Sequence, residues 1–485
     1  MSEATYLGNK GYTIYKECLE IKDQKFIRDK LTVKPYIPKS PVQPPSFCVY
    51  AEGHSKFYLP KYFGVENFGE PDGFRISDGD DINITFKGKL RDYQEPIVDA
   101  YLKSTKNVWG GGGLLDIPCG YGKTCLALYI ATVLKKKTLV IVHKSFLLNQ
   151  WIERINEFVP KAKVGKIQGQ IIDIEGKDVV IGMLQSLSMK DYEQTMFLDF
   201  GFTIIDETHH VSAEVFSRVL FKAVTKYMLG LSATMDRADG LTKVFKMFLG
   251  EIIYKEKAEE NENVNVRIYD YITDDEEFNE TKVDFRGNTA YSSMMTKLCN
   301  FNPRREFVVK IVKDLMEENP NQQIMILGHY KNLLTYLYKA IEHKRIGTVG
   351  YYVGGMKKEA LKESEGKQII IATYSMASEA LDIKTLTTLV MATPKTDVTQ
   401  SIGRILRAKH SQPIVVDVCD QHDVFKRQCN KRIKYYNKQG YKIQRCSNKN
   451  YNDFTEIKPR KSKGKKKNIV IDDNPLKGKC LISLN

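Results

Sequence analysis

The chain of 485 residues is long enough for about three domains of ~150 residues each, and its 42% hydrophobic and 27% charged content is that of a soluble globular protein, which excludes a disordered or fibrous one. Lys and Arg number 74 against 59 Asp and Glu, a formal charge of +15, and that balance favours a polyanionic partner such as nucleic acid. The nine cysteines contain no Cys-x-x-Cys pair, the N-terminus has no basic-then-apolar signal, and no apolar stretch approaches the ~20 residues that span a bilayer; the expectation is a soluble, intracellular chain with reduced thiols and no membrane partner.

Residues 1–85 read as a small accessory domain, with a proline cluster from Pro35 to Pro45 as a strap and aromatic runs such as Lys56-Phe-Tyr-Leu-Pro-Lys-Tyr-Phe read as core. Leu90-Arg-Asp-Tyr-Gln94 follows, before a helix from Pro96. A Gln amide donates and accepts at once, which matches the Hoogsteen edge of adenine, so Gln94 with Arg91 is a candidate base sensor.

The next stretch, Asp116-Ile-Pro-Cys-Gly-Tyr-Gly-Lys-Thr124, holds the parts that grip a nucleoside triphosphate. Gly120 and Gly122 let backbone N–H groups close on phosphate oxygens, Lys123 brings charge to the β/γ-phosphates, and Thr124 offers a hydroxyl to Mg²⁺; Pro118, Cys119 and Tyr121 complete the loop. A short apolar strand leads in and a helix from Lys123 to Leu134 leads out, so the phosphates would meet a helix N-terminus. Ile117 stands where the strict pattern has its first glycine.

Strand and helix then alternate as a parallel α/β sheet requires: strands at 138–143, 178–183 and 202–207, and a helix at 146–158. Ligands of such sheets bind at the carboxyl ends of the strands, where Asp206 and Glu207 fall. One carboxylate suits the Mg²⁺ shell and the other can orient the attacking water. His209 and His210 are adjacent and lack partners at metal spacing. Gly230-Leu-Ser-Ala-Thr234 ends a further apolar strand.

From Lys255 to Asn302 the composition turns polar and acidic, which places a domain boundary near residue 255. A second alternation follows, with strands at 323–328, 368–373 and 386–392, and no phosphate loop. It carries Gln400-Ser-Ile-Gly-Arg-Ile-Leu-Arg407, where Arg404 and Arg407 share a helical face and suit a γ-phosphate. Lys458 to Lys467 is almost wholly basic, a tail beginning at about 446.

Taken in order, Leu90-Arg-Asp-Tyr-Gln94, Gly-Tyr-Gly-Lys-Thr124, Asp206-Glu-Thr-His, Ser-Ala-Thr234, Ser378-Glu-Ala-Leu-Asp382 and Gln400 to Arg407 resemble the motifs of superfamily 2 helicases over residues 86 to about 420. Pro118-Cys-Gly, Asn149-Gln-Trp151 and the run from Gly230 to Gly240 are similar to the duplex-DNA translocase branch with its XPB-like, UvsW-like and restriction-enzyme motors. The length, the short N-terminal domain and the ending Val415-Val-Asp417 to Lys438-Gln-Gly-Tyr-Lys-Ile443 resemble helicases of large cytoplasmic DNA viruses, including the poxvirus transcript-release type.

The resemblance implies an α/β fold of two tandem RecA-like domains, 86–255 and 256–445, beside an N-terminal domain and a basic tail, 446–485. It implies ATP and Mg²⁺ as cofactors, adenine contacts by Arg91 and Gln94, catalysis by Asp206, Glu207 and Gln400, and arginine fingers at Arg404 and Arg407. Gln185, Ser186 and Thr373 become candidate nucleic-acid contacts. Duplex DNA is favoured over RNA as partner, with RNA polymerase or transcription factors beside it, in viral transcription or repair in the host cytoplasm, the viral factory or the virion. Ala380 departs from the usual glycine of its motif.

Overall fold

The computed structural model describes residues 3–36, 43–118, 121–206, 213–232, 242–256, 263–379, 383, 385–405 and 412–457. They divide into two compact units, one within 1–257 and one within 258–466.

The first unit opens with strands β1 (Thr5–Gly8) and β2 (Gly11–Tyr15), helix α1 (Ile21–Leu31), and an antiparallel pair, β3 (Thr32–Val33) with β4 (Phe47–Cys48). Strands β5 (Ala51–Glu52) and β6 (Lys56–Leu59), helix α2 (Lys61–Phe68) and β7 (Gly73–Phe74) complete it. The sheet order is β5-β6-β2-β1-β7. Phe57, Leu59 and Phe63 are core residues here, packed with Tyr12, Ile14 and Ile27. Lys61 is buried, donates to the Lys226 carbonyl at 2.8 Å and lies over the Trp109 ring. Burial lowers its pKa to about 7.

The rest of the unit is one eight-stranded sheet. Helix α3 (Glu95–Ser104) precedes β8 (Gly111–Asp116), then α4 (Lys123–Leu134), β9 (Thr138–Val142), α5 (Ser145–Phe158), the hairpin β10 (Val164–Gln168) with β11 (Ile171–Asp173), and β12 (Val179–Met183). Next come α6 (Leu184–Met189), β13 (Phe202–Asp206), α7 (Ala213–Lys222), β14 (Tyr227–Ser232), α8 (Thr242–Leu249) and β15 (Ile252–Lys255). The order is β11-β10-β12-β9-β13-β14-β8-β15, parallel throughout except for β10 with β11.

Strand side chains alternate between faces, and both faces are covered. Leu115, Val140 and Val142 pack under α3, α4 and α5, whereas Leu114, Leu139 and Ile141 pack under α6, α7 and α8. A parallel sheet buried on both sides reads as unbroken apolar sequence.

The second unit repeats the plan. Strand β16 (Asn265–Tyr271) is followed by α9 (Glu276–Asn279), α10 (Tyr291–Asn300), α11 (Asn302–Glu318), β17 (Gln323–Gly328), α12 (Lys331–His343), β18 (Val349–Tyr352) and α13 (Lys358–Glu365). Strand β19 (Ile369–Thr373), α14 (Tyr374–Glu379), β20 (Leu386–Met391), α15 (Thr399–Ile405), β21 (Ile414–Asp420), α16 (Asp423–Lys438), β22 (Lys442–Ser447) and β23 (Thr455–Glu456) follow. The order is β18-β19-β17-β20-β21-β16-β22-β23, antiparallel only at β22 with β23. The polar stretch after Lys255 is therefore not a structureless link. It contains β16, an internal strand whose Arg267 and Asp270 are satisfied by Glu318 and Arg445.

Candidate active site of the first unit

Three strand ends meet at the phosphate loop. Ser232 of β14 lies opposite Asp116 of β8, and Asp206 of β13 lies opposite Leu231 of β14. The Ile117 N–H donates to the Ser232 carbonyl at 3.0 Å, and the Ile117 side chain is fully buried. An apolar anchor thus stands at the position where the strict pattern has a glycine. Cys119 and Gly120 lie outside the described residues. Gly122 has φ +79°, a conformation that favours glycine, and it caps α4, so Lys123 and Thr124 open the helix. Their N–H groups lie in the first turn and point out along the helix axis, the direction from which an anion is met.

Gln94 is built into this loop. Its Oε1 accepts the Arg91 N–H at 3.0 Å and its Nε2 donates to the Tyr121 carbonyl at 2.8 Å. A Cβ on Gly122 would come within 2.7 Å of that nitrogen. One N–H and one lone pair of the amide are left for a base. The exposed Arg91 donates to the Tyr93 hydroxyl at 2.8 Å, and the Tyr93 ring meets the Tyr121 ring edge-on at 5.2 Å. Tyr93 is a site residue that the sequence reading did not single out; its place between Arg91 and Gln94 was the available signal.

Asp206 is buried at the end of β13, and Oδ2 accepts the Trp151 indole N–H at 2.8 Å. Trp151 is 1% exposed and projects from the face of α5 that also buries Leu147, Leu148 and Ile155. Sequence alone marked Trp151 only as part of Asn149-Gln-Trp151. The structure makes it a positioning residue for the carboxylate. Asp116 pairs with Lys255 at 2.8 Å. A threonine hydroxyl and a carboxylate are hard oxygen donors and fit Mg²⁺, which takes one or two protein ligands and keeps waters. Among the described residues no group of three or more His, Cys, Asp or Glu could hold a metal.

Gln185 and Ser186 lie in the first turn of α6, which follows β12 directly. Gln185 donates to the His143 carbonyl at 2.9 Å, and the Ser186 hydroxyl accepts the Gly169 N–H at 2.9 Å, tying down the β10–β11 hairpin. Structure therefore brings Arg91, Gln94, Pro118, Tyr121, Gly122, Lys123, Thr124 and Asp206 to one edge, with Gln185 and Ser186 two strands along it. Glu207, His209, His210 and the Ala233-Thr234 pair lie outside the described residues.

In the second unit Thr373 ends β19 with its hydroxyl 3.4 Å from that of Ser375. Gln400 and Arg404 lie on α15, their side chains outside the described set, as are Arg407 and residues 380–382. A polar cluster not foreseen stands at the end of β17, where His329 contacts the Thr393 hydroxyl at 2.8 Å and Tyr374 donates to the Thr393 carbonyl. Burial, with Lys395 nearby, lowers the His329 pKa to about 4.

A parallel sheet with a phosphate loop on one strand and a buried carboxylate two strands away defines a nucleotide-binding α/β domain of the phosphate-loop class. The family model described as "Type III restriction enzyme, res subunit" matches residues 87–237. A protein of Acanthamoeba polyphaga mimivirus, provisionally named an ATP-dependent RNA helicase, is 38% identical over 456 residues, 91% of this chain and 86% of that one. An African swine fever virus protein, also provisionally named an ATP-dependent RNA helicase, is 28% identical over 396 residues, 74% of each. The DNA 3′-5′ translocase XPB2 of Sulfurisphaera tokodaii is 25% identical over 377 residues, 69% of this chain and 82% of that one. The crystal structure of T4 UvsW aligns with a TM-score of 0.34 and 18% identity, covering 88% of this chain and 96% of that chain. The chain belongs to the superfamily 2 helicases, with a viral protein among its relatives, and membership implies use of ATP. No helix among the described residues is long and apolar enough to cross a membrane.

Proposed function

We propose that the chain is an ATP-dependent motor that moves on duplex DNA, in viral transcript release or repair, and acts in the host cytoplasm or viral factory. The observation that carries the ATPase reading is the meeting of Asp116, Ser232 and Asp206 beside the loop that ends at Lys123 and Thr124. Residues 86–255 are the ATP-binding domain, 256–445 the second motor domain, 1–85 an accessory domain and 446–485 a basic tail.

The loop from Pro118 to Thr124 binds the triphosphate, with the N–H groups after Pro118 as donors, and Lys123 adds its charge there. Arg91 and Gln94 select adenine. Thr124 and Asp206 would hold Mg²⁺, which when bound offsets negative charge on the phosphoryl oxygens. Trp151 fixes the direction of the Asp206 carboxylate. Glu207 orients the attacking water, and Gln400, Arg404 and Arg407 act on the γ-phosphate side of the chemistry. Gln185, Ser186 and Thr373 contact the nucleic-acid backbone, a contact that repeats with every nucleotide and reads no base.

Support for duplex DNA comes from the restriction-enzyme family model and the DNA translocase relative. The provisional names of the mimivirus and swine-fever proteins favour RNA as the second reading. ATP turnover with duplex DNA, single-stranded DNA and RNA of equal length separates the two: greatest stimulation by duplex DNA is expected. Stimulation by RNA alone would establish the second reading, and no stimulation by any of them would reject a working motor.

A further inference from the structure

Helix α16 follows β21 and carries one buried face and one charged face. At 3.6 residues per turn, Phe425, Cys429, Arg432 and Tyr436 fall on one side, and all four are buried. Arg432 grips both oxygens of Asp417 at 2.7 Å, and the Tyr436 hydroxyl donates to the same carboxylate at 3.0 Å. These bonds fix the rotation of the helix about its axis. What it turns outward is therefore set as well.

Outward point Arg427, Lys431, Lys434 and Lys438, all exposed. Their spacing of i, i+4, i+7, i+11 confines them to about 60° of arc and spreads them over about 16 Å. Among the described residues none of the four forms an ion pair. Other helices of this chain intersperse acids with their bases: Arg218 pairs with Glu214 on α7, Arg154 with Glu157 on α5 and Lys313 with Glu317 on α11. On α16 the one exposed acid is Asp423 in the first turn, where the helix dipole favours it. The dipole equally accounts for Lys438 in the last turn but not for the three other cations, and like charges four apart repel. A solvated face with no partner would not need that arrangement.

We propose that this face of α16 is a phosphate-backbone contact of the second unit, taking nucleic acid as its ligand. The inference rests on the nucleic-acid motor reading and adds to it a contact C-terminal to the run of superfamily 2 motifs that ends near residue 420. One strand of B-form DNA places a phosphate about every 3.4 Å of axis, so a 16 Å row of four cations spans about five phosphates. Bases are not read, because only charge is offered.

The test uses the full chain with Arg427→Gln/Lys431→Gln/Lys434→Gln/Lys438→Gln, the milder Lys431→Gln/Lys434→Gln, and a control of equal charge change, Lys310→Gln/Lys313→Gln/Lys339→Gln/Lys362→Gln. Affinity for a labelled duplex and a labelled single strand is measured over a salt series, with melting temperature and nucleic-acid-free ATPase beside it. The quadruple α16 variant is expected to bind about tenfold or more weakly at low salt. Its dependence of log K on log salt should be shallower by about 0.9 per lost duplex contact, half as much for the double variant, with melting and basal ATPase unchanged. The control should move the slope far less. Wild-type affinity and slope in the α16 variants would overturn the proposal, as would equal losses in the control, which would make the effect one of net charge. Loss of binding to anionic vesicles or polyglutamate with nucleic-acid binding intact would assign the face to a different partner and also overturn it. A wild type that binds no nucleic acid would instead reject the motor reading itself.

Discussion

The two large sheets follow one plan, yet Asp206 on the first and Asp417 and Asp420 on the second are held by different kinds of donor. In the first unit Asp206 is held by an indole N–H, a neutral donor. In the second, Asp417 and Asp420 are each gripped at both oxygens by a fully buried guanidinium, Arg432 and Arg304, whose Nη1 groups donate to the carbonyls of Lys395 and Ala392 respectively. A neutral donor fixes the direction of a carboxylate and does not itself offset its charge. A bidentate guanidinium does both. The difference is consistent with the ligand role proposed for Asp206 and gives Asp417 and Asp420 a supporting role within the second sheet.

The strongest way to probe this division is the arginine motif after α15, the part of the second unit assigned a share of the chemistry. Arg407→Ala should slow turnover by about 10³–10⁵ while nucleotide affinity stays close to wild type, and Arg407→Lys should recover little because it lacks the planar fork. Phosphate release and nucleotide titration measure both; an unchanged kcat would give the arginine a structural role.

Next in size is Arg304→Met, which strands the Asp420 carboxylate in the core. Urea unfolding should show a loss of about 3–5 kcal/mol, and Arg304→Met/Asp420→Leu should regain most of it. Catalytic failure without destabilisation would break the comparison.

Trp151→Phe keeps a ring in place and removes the N–H that directs Asp206. A hydrogen bond to a charged group contributes about 1.5–3 kcal/mol, so kcat should fall about ten- to a hundredfold, with more Mg²⁺ needed for half-maximal rate. A purely structural tryptophan would lower the melting temperature and leave the Mg²⁺ dependence alone.

The smallest effect sharpens the contrast between buried and exposed pairs. On the surface of the N-terminal region, Arg28 and Lys16 hold Glu52 down from its ordinary 4.5 to about 2. Because the folded value lies below the unfolded one, the pair stabilises above pH 4.5 and that contribution is lost as pH falls toward 2. Glu52→Gln should cost less than about 1 kcal/mol at neutral pH, a gap that closes in acid; a gap that widened there would contradict the pairing.

Much of the fold was legible because strands buried on both faces are written as apolar runs, as in Thr138–Val142 and Ile369–Thr373. Strands β10 and β16 escaped for the converse reason. β10 carries Lys166 and Gln168 at the sheet margin, and β16 half-buries Arg267 and Asp270, which Glu318 and Arg445 pair from elsewhere in the chain. The phosphate loop was readable because its chemistry is local, in a glycine, a lysine and a threonine that are consecutive. The Trp151–Asp206 bond joins residues 55 positions apart, and a buried tryptophan in a helix has the same sequence signature whether it fills a core or directs a carboxylate.

That bond has an optical consequence. The chain has two tryptophans, Trp109 beside Lys61 and Trp151 against Asp206. Indole emission shifts with the charge and hydrogen bonding at its nitrogen, so one fluorophore is wired to the carboxylate assigned to Mg²⁺ while the other sits apart from it. In a Trp109→Phe background the remaining emission would report on the occupancy of the nucleotide site directly, without a label, as Mg²⁺ and nucleotide are added.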